Sequence, residues 1–232
     1  MTETYYAGVY WPGRPEPLET YARRAEALFQ RLASTDPSLA TWYEQARSRE
    51  SALNSQVSPD VLSLQQLFTK TKYQVGEGEI SFAAWNGRTD DSSVVNFSCG
   101  DPVPDAVDLC VWTPAARELL SEQRASQVLK AMVLAWEPDW GVVISDEHRD
   151  SLSESGDVGT FIGWMTYFSR HRGPVPPLPG SVRVEPVEDQ GTLVILTPER
   201  FTLSKPEHVS LAEEVQDQLQ RAGLLEPLRA AP

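Results

Sequence analysis

Asp146-Glu147-His148-Arg149-Asp150 is the densest run of chemically capable side chains in the sequence. Carboxylates flanking an imidazole could hold a divalent ion, and a held ion could activate water for hydrolysis. In such a hydrolase Asp146, His148 and Asp150 would be the ligands. The spacing matches no metal loop of known mechanism, however. A polar loop that follows a strand and places acids at the positive end of the next helix accounts for the same residues. His171 and His208 are the only other histidines, which limits triads and zinc sites. The Gly-x-Ser-x-Gly elbow, the phosphate-cradling loop ending in Lys-Ser/Thr, the dinucleotide fingerprint and His-Glu-x-x-His are all missing. No catalytic residue, cofactor or metal is expected.

Nuclease chemistry is disfavoured on two counts. A metal-dependent nuclease needs clustered carboxylates and usually a lysine near the scissile phosphate. Lys70, Lys72, Lys130 and Lys205 are the only lysines, and none follows an acid in an Asp/Glu-x-Lys arrangement. Charge is the second count. Between Glu77 and Asp157 stand sixteen acids and five bases, a net of −11 within a total of −13. The residues before this segment balance at eight against eight, and those after it carry nine acids and seven bases. Such a field repels nucleic acid and attracts a basic surface.

Solvated acidic faces often serve only solubility. Here the acids gather around loops at strand ends, where binding surfaces tend to lie. Asp101, Asp105, Asp108, Asp139, Asp146, Glu147 and Asp150 are therefore expected to contact a partner. Trp140, beside Asp139 and a proline turn, is the tryptophan expected at the surface as an aromatic anchor. The connector over residues 171–181 carries Pro174, Pro176, Pro177 and Pro179. It could offer a polyproline helix to a partner, as an adaptor would, although a stiff spacer is the plainer reading.

The elements that position these residues follow from periodicity. Residues 4–11 alternate as a strand, with Tyr5, Ala7, Val9 and Trp11 on one face and Tyr6 and Tyr10 on the other. Leu18, Tyr21, Ala22, Ala25, Leu28, Phe29 and Leu32 recur at helical spacing. A short helix is expected over 39–47, and another opening at Ser58-Pro59. Residues 80–85, 94–99 and 107–112 read as three strands, the first two joined across Asn86-Gly87. Thr113-Pro114 looks like an N-cap and N1 proline, so a helix is expected from there to Trp136. Residues 141–145 and the apolar run 161–168 follow, then a hairpin over 182–187 and 193–196. Ser204 and Glu207 have capping-box spacing before a last helix closed by Gly223. Strands joined by short turns, with helices packed on them, predict an α+β fold with a mainly antiparallel or mixed sheet. One domain over 1–232 is expected. Cys99 and Cys110 are expected to be buried free thiols. No apolar run is long enough to cross a bilayer, and Met1-Thr2-Glu3-Thr4 opens no secretory signal, so a cytoplasmic protein is expected.

Three stretches carry a family resemblance. They are Tyr5-Tyr6-Ala7-Gly8-Val9-Tyr10-Trp11, Gly163-Trp164-Met165-Thr166-Tyr167-Phe168-Ser169 before the proline connector, and Gly191-Thr192-Leu193-Val194-Ile195-Leu196-Thr197-Pro198-Glu199-Arg200-Phe201. With these the chain resembles the immunity protein 52 family of bacterial polymorphic toxin systems from about Tyr5 to Leu225. The resemblance implies a cytosolic antitoxin encoded beside its toxin. The toxin is often a restriction-endonuclease-like nuclease delivered between competing bacteria, for example by type VI secretion. It implies no catalytic residues.

Overall fold

A computed structural model describes residues 3–103, 106–115, 120–152 and 157–228. Along the chain come β1 (Tyr5–Pro12), α1 (Leu18–Thr35), β2 (Tyr43–Glu44), α2 (Arg49–Leu53), α3 (Val61–Phe68), β3 (Ile80–Trp85), β4 (Ser93–Cys99) and β5 (Val107–Pro114). After these come α4 (Glu122–Trp136), β6 (Trp140–Ser145), α5 (Asp146–Leu152), β7 (Met165–Ser169), β8 (Arg183–Val187), β9 (Gly191–Ile195) and α6 (Pro206–Arg221). The nine strands form one sheet in the order β2-β3-β4-β5-β1-β6-β7-β9-β8. Every neighbouring pair in it is antiparallel. The α+β expectation holds. The first strand lies at the middle, between β5 and β6.

One face of the sheet is closed by helices. Tyr21, Ala22, Ala25, Leu28, Phe29 and Leu32 make the buried stripe of α1, which packs with α3 and α4. Trp136 of α4 stacks on Trp11 at 5.2 Å and meets Phe97 at 4.8 Å. Phe68 of α3 sets its edge against Phe82 and Phe97. Gly141 sits where a Cβ would come within 3.3 Å of Leu129, so α4 can lie close to β6. Cys99 and Cys110 are buried free thiols on this face, as expected.

The other face divides into two halves. In β3, β4 and β5 burial alternates residue by residue, so every second side chain is left at least partly exposed. In β6 and β7 every residue is buried. The second cover over β6 comes from residues 161–164. Phe161 sets its ring edge-on to Trp140 at 4.9 Å. Gly163 passes so near that a Cβ would lie 2.4 Å from the Val143 carbonyl oxygen.

Several local expectations are corrected. Thr113 and Pro114 end β5 instead of starting a helix; a proline at the last ladder position forfeits little pairing. The helix α4 starts after Ser121, whose hydroxyl accepts from the Arg124 N–H. The preceding residues 116–119 lie outside the described residues. Residues 39–47 hold strand β2 instead of a helix: Tyr43 and Glu44 pair with Trp85 and Ala84 of β3, and the Glu44 side chain is tied down. Its carboxylate pairs with Lys70 at 2.8 Å and Lys72 at 2.9 Å and accepts from the Tyr73 hydroxyl at 2.6 Å. Burial alone would raise its pKa, and these partners hold it at about 2. The cap of α3 is Asp60 instead of Ser58, and α6 begins at Pro206 without a side-chain cap. In the proline connector Val175 and Leu178 pack against the core, so this segment lies along the body.

Candidate partner-binding site

The run 146–150 forms the first turns of α5, and helix geometry separates its side chains. Positions 146, 149 and 150 share the outer face, while 148 projects inward. Arg149 pairs with Asp146 at 3.0 Å and Asp150 at 2.8 Å, and its guanidinium lies 5.7 Å from the centre of the Tyr6 ring. Glu147 accepts a hydrogen bond from the Thr4 N–H at 3.1 Å. His148 is buried and stacks on Phe201 at 4.7 Å; burial lowers its pKa to about 4. The ring faces away from Asp146 and Asp150, so the trio does not converge on an ion. Among the described residues no group of three His, Cys, Asp or Glu side chains is placed to hold a metal.

The remaining predicted contacts do not form one face. Asp139 precedes β6 and Asp146 follows it. Seven extended residues put them roughly 20 Å apart, at opposite ends of the strands. With Asp139 lies Asp101, in the loop between β4 and β5; with Asp146 lie Glu147 and Asp150. Asp105 lies outside the described residues.

Two of the predicted contacts are buried, which corrects the expectation for them. Asp108 is 2% exposed. It accepts hydrogen bonds from the backbone N–H groups of Gly100 at 3.0 Å, Arg14 at 3.3 Å and Asp101 at 3.4 Å, and from the Trp11 indole at 3.1 Å. Burial still outweighs these donors and raises its pKa. Asp108 therefore ties the β4–β5 loop to the end of β1 and presents nothing to a partner. Trp140 is 0% exposed, because Tyr10 and Phe161 cover its ring.

Asp139 is half-buried and tied down. It accepts from the Ser169 hydroxyl at 3.2 Å and lies 3.8 Å from the guanidinium of Arg172. Asp101 is partly exposed beside Glu77 and Glu79. Burial raises the pKa of Glu79, and repulsion from Asp101 and Asp108 adds to it. That makes an acidic corner at the Asp101 end, matched by Asp146 and Asp150 at the other.

Between these ends lies a surface that charge counting does not reveal. Tyr6, Tyr10, Val111 and Thr113 line a hollow of about 320 Å³ with Asp146 and Arg149. Ser81, Ala83, Asn96, Ser98 and Leu109 line a second, of about 430 Å³, further across the same face, with Lys72 at its edge. The signal for it in the sequence is the period-2 alternation of residues 80–85 and 94–99.

The class of protein is given by the match of residues 3–228 to a family model, and that class is the immunity proteins. The chain belongs to the family described as Immunity protein 52, over nearly its whole length. No curated protein matches the sequence. A solved structure titled "Pseudomonas aeruginosa T6SS protein PA0821" is similar with a TM-score of 0.57 at 13% identity, covering 96% of this chain and 77% of that one. At that identity the likeness speaks for the fold.

Proposed function

We propose that this protein neutralises a cognate toxin by binding it directly in the cytoplasm, without a catalytic step of its own. The observation that carries this reading is the match of residues 3–228 to an immunity family. The toxin we propose is a nuclease with a basic substrate-binding surface, of the restriction-endonuclease-like class, delivered by type VI secretion. In support, a nuclease must present positive charge to phosphates, and −11 of this chain's charge lies between Glu77 and Asp157. Acids at both ends of the sheet would steer a basic partner into contact, with association rates up to about 10⁸–10⁹ M⁻¹s⁻¹ at low salt. Bound there, the protein would deny the substrate its surface.

Co-expression tests the reading. Cells making the toxin encoded beside this protein should arrest, and supplying this protein should restore growth. The purified pair should also associate more slowly as salt rises. Continued arrest with the protein abundant and folded would overturn the immunity reading. Rescue from a toxin that leaves nucleic acid intact would overturn the nuclease assignment alone.

A further inference from the structure

The geometry points to the open half-face of the sheet, over β3, β4, β5 and β1, as the docking surface for the toxin, whose matching surface is an apolar centre ringed by Lys and Arg. This inference rests on the immunity reading and names the site that serves it. The register fixes which side chains share the face: Ser81, Ser98, Leu109 and Tyr10 in one row, and Trp85, Val94 and Thr113 in another. Ala83, Asn96 and Val111 stand between the rows, and Tyr43 of β2 extends the aromatic edge beside Trp85. None of these strand side chains is charged, although charged residues make up 23% of the chain; the cation that borders them, Lys72, is held by Glu44 at 2.9 Å. Exposed surface without charge and with several aromatic rings has the make-up of an interface centre.

Size and rim agree with that use. Four strands span about 15 Å between the outer two, and six residues run about 20 Å along them. That gives a centre on the order of 300–400 Å², within a standard footprint of about 800 Å² per partner once a rim is added. The rim is acidic at both ends of the strands, with Glu77, Glu79 and Asp101 at one and Asp90, Asp146 and Asp150 at the other. Two arginines stand at the second end: Arg149 is held by Asp146 and Asp150, and Arg88 lies 4.0 Å from Asp91, so acids still outnumber bases there. A second copy of this chain fits the face poorly, since a two-fold pairing would set acidic rim against acidic rim in either strand direction. A basic partner meets attraction at both.

The test uses the full chain and the purified, catalytically inactivated toxin from the adjacent gene. Ser81 and Thr113 are exposed positions at opposite corners of the face, so S81R and T113R should leave thermal unfolding unchanged. By calorimetry each should weaken toxin binding at least tenfold, and the double variant about a hundredfold. Q220R, with the same charge change on the outer side of α6, should bind like the parent. Parental affinity in the folded double variant would overturn the docking surface while leaving the immunity reading intact. Failure of the parent to bind the toxin would sink both. A parent dimer that S81R and T113R dissociate would assign the face to self-association and overturn the proposal.

Discussion

Val111 and Val142 flank the same residue, Gly8, from the two neighbouring strands and point to the same side of the sheet. They lie about 10 Å apart. Val142 is 0% exposed and Val111 is partly open. The difference is what covers them: residues 161–164 close over β6, and no described segment does the same for β5. At β6 and β7 the closed half of the sheet is interior on both sides, where any change is felt as stability. The other half is interior on one side only, and its free face can meet a partner. Placing a carboxylate at each position separates the two. Val142→Asp should cost about 5 kcal/mol, enough to abolish folding, because the charge finds neither water nor a partner. Val111→Asp should cost about 1 kcal/mol or less, read from denaturant midpoints.

The tryptophans repeat the comparison. Trp140→Ala should destabilise by about 4 kcal/mol through the cavity it leaves. Trp85, partly exposed and tilted against Tyr43 at 6.5 Å, should cost only about 1 kcal/mol of stability when replaced by alanine. Its loss should fall instead on toxin affinity, by about 2 kcal/mol in a calorimetric titration.

How much of this could be read from the sequence divides along the same line. The alternation of Ile80, Phe82 and Ala84 with Ser81, Ala83 and Trp85 marks a strand with one buried face, and the structure bears it out. The stretch Trp140-Gly141-Val142-Val143-Ile144 has no polar partner at every second place. That is how a strand buried on both sides reads, and it already argues against Trp140 as a surface anchor. Asp108 was legible in the same terms, since it shares strand parity with Cys110 and Trp112, which face the core. What one sequence could not give is the grouping of the acids. Neighbours along the chain, such as Asp139 and Asp146, are carried to opposite ends of the sheet by the strand between them. The cover over β6 was equally hidden, because it depends on where residues 161–164 cross in space.

Acid should weaken the closed half first. His148 is held neutral by burial, with a pKa of about 4 against an ordinary value of 6.5. Between those values the unfolded chain binds the extra proton, so stability is full above pH 6.5 and falls as pH drops toward 4. The loss should approach about 3 kcal/mol, and His148→Phe should flatten the profile over that window in urea melts at stepped pH. The smallest effect is expected at the rim. Asp101→Lys or Asp146→Lys should each cost about 0.5–1 kcal/mol of toxin affinity, mostly as slower association that vanishes at high salt.

Hydroxyl-radical footprinting of the protein with and without its toxin tests the docking of the open half most directly. Bound toxin should protect Trp85, Tyr43 and Leu109, while Leu62 at 72% exposure and Val184 at 44%, on α3 and β8, react as before. Protection of Leu62 or Val184 with Trp85 and Leu109 still reactive would contradict the account.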